Sequence, residues 1–167
     1  MRAIRLLLAY DGTAYAGWQI QPNQRTIQGM LSDAVRRVSG EDVRPLASGR
    51  TDAGVHALGQ VVVFRTESSL PADVWGRALN ANLPQDIRVR YADEPPLEFH
   101  PIRDAQAKRY RYLIQDGSPL PFWQNKAWQV PRALKDKAMQ EAAVRLLGTH
   151  DFSAFETSGA PRKTSVR

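Results

Sequence analysis

Apolar and polar positions alternate with period two from Ala3 to Tyr10, with Ile4, Leu6 and Leu8 on one side, and the run stops at Asp11-Gly12. This spacing predicts a buried strand closed by a turn. The periodicity is lost from Thr13 to Asn23, a stretch that reads as a loop. It returns at helical spacing after Thr26, a side chain suited to capping, through Ile27, Met30, Leu31, Ala34, Val35 and Val38, and Gly40 supplies the stop. Val43 to Ala47 predicts a second strand, kept to an edge by Pro45, which has no ladder donor. Gln60 to Thr66 predicts a third. A second helix follows Pro71 with Val74, Trp75, Ala78 and Leu79 and ends before Pro84, and Ile87 to Tyr91 predicts a fourth strand.

The predicted order is β-α-β-β-α-β, an α+β, ferredoxin-like domain over residues 1–105, with Pro95-Pro96 marking the boundary region. Beyond it, Ala107 to Gln115 predicts a strand, and Leu134 to Leu147 a helix closed by Gly148. Lys163 to Arg167 reads as the opening of another strand. These elements are too few for an independent layer, so residues 106–167 are expected to begin a second α/β domain that stops mid-structure. Trp123 and Trp128 are expected to pack in it.

Composition narrows the chemistry. The chain has no cysteine, which removes disulfides, thiolate metal sites and cysteine nucleophiles. His56, His100 and His150 lack ligand spacing, so no metal site is expected. No apolar run is long enough to span a membrane, and the N-terminus lacks the order of a secretory signal, so a cytoplasmic location is the default expectation. Lys and Arg total 23 against 17 Asp and Glu, a net charge of +6. The excess is uneven: 11 basic against 9 acidic residues up to Asp93, then 12 against 8. Such a balance suits a polyanionic partner, and equally suits a basic, solvated surface.

The most informative stretch is Ser48 to Ala57, between the second and third predicted strands. Gly49, Ala53 and Gly54 flank Arg50 and Asp52, so backbone can approach a ligand closely beside a guanidinium and a carboxylate. An ionised Asp52 can act as nucleophile or base. On residue types alone the same loop also reads as an Asx turn, with Asp52 bonding its own backbone and Arg50 solvated.

The run Gly49-Arg50-Thr51-Asp52-Ala53-Gly54-Val55-His56-Ala57 resembles, residue for residue, the catalytic signature of TruA-type tRNA pseudouridine synthases. The resemblance extends through Tyr10-Asp11-Gly12-Thr13, Gly17-Trp18-Gln19, Asn80 to Pro84, Phe99-His100, Lys108 to Tyr112 and Gly148 to Phe152. It implies a cofactor-free isomerase that converts uridine to pseudouridine at positions 38 to 40 of the tRNA anticodon stem-loop. Asp52 matches the catalytic aspartate. Arg50 is similar to the arginine that helps displace the target base, and Tyr110 to the active-site tyrosine that stacks on it. Lys108, Arg109 and Arg111, interleaved with tyrosines, suit phosphate tracking plus stacking. The resemblance further implies a homodimer with one tRNA across both subunits, and a longer chain whose second half supplies a basic partner for the aspartate. The alternative is a catalytically incomplete RNA-binding fragment.

Overall fold

The computed structural model describes residues 1–156 and 164–166. They fall into two compact units, Met1–Arg111 and the described part of Tyr112–Arg167. The first is a mixed α/β unit with an antiparallel sheet. Its elements are β1 (Arg2–Tyr10), α1 (Ile27–Ser39), β2 (Leu46–Ala47), β3 (Ala57–Thr66), α2 (Ala72–Asn82) and β4 (Ile87–Asp93). The strand order is β2-β3-β1-β4, and every neighbouring pair is antiparallel.

The register explains the core. Ile4 faces Phe64 and Leu6 faces Val62 across the β1–β3 ladder, so these four side chains share one sheet face. They join Ile27, Leu31 and Val35 of α1 and Trp75 and Leu79 of α2 in one buried cluster. Phe64 and Trp75 meet edge to face, with ring centroids 5.0 Å apart. Each fully buried large apolar side chain contributes roughly 1.5–3 kcal/mol relative to exposure. α1 starts where Thr26 accepts from the Gly29 amide and ends where Gly40, at φ 76°, donates to the Arg36 carbonyl.

β2 is shorter than the Val43 to Ala47 pattern predicts. Pro45 has no amide to give, and its carbonyl accepts from Gln28 Nε2 at 2.8 Å, which ties it to α1. One irregularity bears on function: Leu8 pairs with Gln60 but Tyr10 pairs with Ala57, so β3 carries an extra residue there. This bulge lies immediately after the Ser48–His56 loop and turns the strand at the point where it leaves that loop.

The second unit has β5 (Ile114–Asp116) paired in parallel with β6 (Trp128–Val130), and α3 (Asp136–Val144). The strand expected over Ala107 to Gln115 is therefore corrected: only Ile114 and Gln115 of it lie in a ladder. Leu113 reaches β6 only through its carbonyl, which accepts from the Trp128 amide at 2.8 Å. Residues 107–112 lie in no strand ladder among the described residues, and alternation alone does not supply one. α3 occupies the middle of the predicted Leu134 to Leu147 helix. Trp123 and Trp128 do not pack as expected; they are 44% and 67% exposed. Of the predicted terminal strand, Lys163 and Arg167 lie outside the described residues, and Val166 forms an isolated bridge with Asp151. No helix among the described residues is long and apolar enough to cross a membrane.

Candidate active site

The Ser48–His56 loop is held against the Asp11–Arg25 loop by a set of short contacts. Trp18 N–H donates to the Thr51 carbonyl at 2.9 Å, and Gly54 N–H donates to the Tyr15 carbonyl at 3.2 Å. The Tyr10 hydroxyl bonds Thr51 Oγ1 at 2.9 Å. His56 Nδ1 lies 3.2 Å from the Gly12 amide and 3.0 Å from Asp11 Oδ1. Two glycines make this approach possible. A Cβ at Gly17, where φ is 91°, would sit 2.6 Å from the Thr51 carbonyl oxygen, and one at Gly12 would sit 2.0 Å from that of Val55.

Gln60 secures the start of the loop from below. Although it shares the apolar face of β3, its Nε2 donates to the Gly49 carbonyl at 2.6 Å and its Oε1 accepts from Ser48 Oγ at 2.7 Å. Burial pushes the Tyr10 phenol up, against the opposing pull of its bonds to Thr51 and Gln60. Tyr15 is anchored more strongly. Its hydroxyl donates to Asp86 Oδ1 at 2.6 Å and accepts from the Arg25 guanidinium at 3.0 Å. Arg25 also stacks over its ring at 4.6 Å. Burial first, and then the Asp86 carboxylate, raise the Tyr15 phenol well above the usual tyrosine range.

On this framework Arg50 and Asp52 are exposed. They line an open cleft of about 470 Å³, to which the other loop contributes Gln19, Gln21 and Gln24. The local turn is made by backbone: Val55 N–H donates to the Asp52 carbonyl at 3.2 Å, and Gly54 adopts φ 77°. Among the described residues nothing hydrogen-bonds or ion-pairs with the Asp52 carboxylate, so the Asx-turn alternative does not describe this loop. A fixed backbone presenting an uncommitted carboxylate suits nucleophilic or general-base chemistry.

The structure brings one of the remaining predicted residues to this loop. Lys108 Nζ lies 3.4 Å from where a Cβ of Gly49 would stand. Arg109, Tyr110 and Arg111 lie on the exposed 107–113 segment; Tyr110 is 77% exposed and has no ring contact among the described residues. No group of three or more His, Asp or Glu side chains suited to a metal occurs among the described residues. Sequence reasoning missed Tyr10, Tyr15, Gln28 and Gln60 as supports of the site. For Gln60 a signal existed, since it interrupts the apolar face continued by Val62 and Phe64.

Comparison with known proteins identifies the relatives of this chain. A family model described as tRNA pseudouridine synthase matches residues 7–102, a span that holds both loops and both cleft charges. The chain is 47% identical to the tRNA pseudouridine synthase A of Citrifermentans bemidjiense, covering all of this chain and 67% of that protein. It is 48% identical to the Geobacter sulfurreducens protein of the same name, covering 69% of it, and 47% identical to that of Halalkalibacterium halodurans, covering 64%. All of this chain is matched in both.

Proposed function

Because the chain belongs to the tRNA pseudouridine synthase family, a family of isomerases, we propose that it converts uridine to pseudouridine in the tRNA anticodon stem-loop, with Asp52 as the catalytic residue. The N1–C1′ bond breaks, the uracil turns, and a C5–C1′ bond forms. C5 then loses its proton and N1 carries one, so the atoms balance without redox change or hydrolysis. The carrying observation is the uncommitted Asp52 carboxylate, held beside Arg50 on a loop whose backbone is fixed from two sides. It serves either as nucleophile, at C6 of the ring or C1′ of the ribose, or as an aid to elimination.

The target base must leave its stack to expose these atoms. Arg50, exposed at the cleft, is the residue to displace it, and Tyr110 the ring to receive it. Lys108, Arg109 and Arg111 follow the phosphates. The antiparallel order β2-β3-β1-β4, with two crossing helices, supports a ferredoxin-like reading of the first domain, taken as residues 1–105. Residues 106–167 belong to the second domain. The assembly is a homodimer in the cytoplasm with tRNA as substrate.

A second reading is an RNA-binding fragment without turnover, which the net charge of +6 fits without any use of Asp52. Mapping pseudouridine by carbodiimide modification and primer extension, in tRNA lacking it beforehand, separates the two. New stops at positions 38 to 40 support the enzyme, and RNA binding without them supports the fragment.

A further inference from the structure

Gln28 is buried, 4% exposed, and its amide orientation is fixed by two backbone groups. The Ile20 amide is only a donor, and it meets Gln28 Oε1 at 3.0 Å. The Pro45 carbonyl is only an acceptor, and it meets Nε2 at 2.8 Å. Reversing the Gln28 amide would set donor against donor and acceptor against acceptor, so its orientation is unambiguous. Gln28 Oε1 then fixes its other neighbour: the Gln19 atom 3.1 Å away must be the amide nitrogen.

The consequence falls in the cleft. Gln19 lines it together with Arg50 and Asp52. With Nε2 committed to Gln28, the Gln19 atom left for a ligand as a bare acceptor is Oε1, and nothing among the described residues occupies it. The buried amide thus sets a hydrogen-bond polarity beside the proposed reactive carboxylate.

Resting on the reading of Asp52 as the residue that attacks or assists at the target uridine, we infer that Gln19 is a substrate-binding residue whose Oε1 accepts a hydrogen bond from that nucleotide. Two donors on a uridine can supply it, the ribose 2′-hydroxyl and the imide N3–H. The first would select RNA over DNA. The second would select uracil over cytosine, whose N3 is an acceptor.

The test uses the full chain and three synthetic anticodon stem-loops, with uridine, 2′-deoxyuridine or 3-methyluridine at the target position. Gln19→Met keeps the length of the side chain without its polar atoms; if it fails to fold, Gln19→Ala replaces it. The variant should bind the uridine RNA about tenfold more weakly than the parent. With at least one modified RNA, parent and variant should bind equally, because the donor is already gone, and that RNA identifies the donor. Unchanged binding of the uridine RNA would overturn the inference, as would the same tenfold loss on all three RNAs. In either case the Asp52 reading survives if the parent still releases tritium from 5-tritiated uridine. A parent chain that neither binds nor reacts overturns that reading, and the role of Gln19 with it.

Discussion

Gly12 packs against Val55 so closely that a Cβ on Gly12 would stand 2.0 Å from the Val55 carbonyl oxygen and 2.6 Å from its carbon. Both obstacles are backbone, so neither can rotate away. Gly12→Ala must push the Asp11–Arg25 and Ser48–His56 loops apart. The expected cost is about 1–3 kcal/mol of stability. A displacement near 1 Å of Asp52 should lower turnover roughly 100-fold. Urea denaturation and single-turnover tritium release check the two parts. Unchanged activity would mean that the contact between the loops does not position Asp52.

Gln28→Leu removes the partners of two backbone groups at once, the Ile20 amide and the Pro45 carbonyl. Leaving them unpaired beside a buried side chain should destabilise the fold by about 2–4 kcal/mol. The measurement is the urea midpoint at constant slope. A loss below about 0.5 kcal/mol would show that water satisfies both groups.

Tyr10 and Tyr15 make stability depend on alkaline pH. In the unfolded chain both phenols ionise near pH 10, at about the ordinary tyrosine value. In the fold both hold their protons to higher pH, because of burial and, for Tyr15, the Asp86 carboxylate. Their contribution is therefore full below about pH 10, where both states keep the proton. Above it the folded state binds more protons than the unfolded state, and stability falls as pH rises. The double variant Tyr10→Phe, Tyr15→Phe should flatten this fall between about pH 10 and pH 11. Urea titrations at stepped pH measure it, and an unaltered slope would contradict the assignment.

Binding of tRNA should weaken steeply with salt. If Lys108, Arg109 and Arg111 each neutralise a phosphate, replacing all three with alanine should lower the slope of log K against log salt by about 2–3. Loss of affinity at an unchanged slope would place them away from the backbone.

The sequence made some of this plain and hid the rest for identifiable reasons. Ile4, Leu6 and Leu8 repeat at period two, and Thr26 and Gly40 bracket a helical repeat, so β1 and α1 follow from local signals alone. Residues 107–112 have strand-like alternation but lie in no strand ladder among the described residues, and pairing is a tertiary fact that alternation does not encode. At the site, Asp52 and Arg50 stood out by type and spacing. The support under them did not, because the Trp18–Thr51 and Gly54–Tyr15 bonds join positions that no local pattern relates. In the sequence nothing sets Gln28 apart on its helix, and only the Ile20 amide and Pro45 carbonyl around it reveal its fixed orientation.

The central claim, that Asp52 performs the isomerisation, is tested most directly by tritium release from tRNA carrying 5-tritiated uridine, comparing the chain with Asp52→Asn. That substitution keeps the shape of the side chain and removes its charge. Release by the parent and at least a 1,000-fold slower release by the variant, roughly 4 kcal/mol of barrier, is the predicted result. Equal release by both proteins would contradict it and assign the chemistry to another residue.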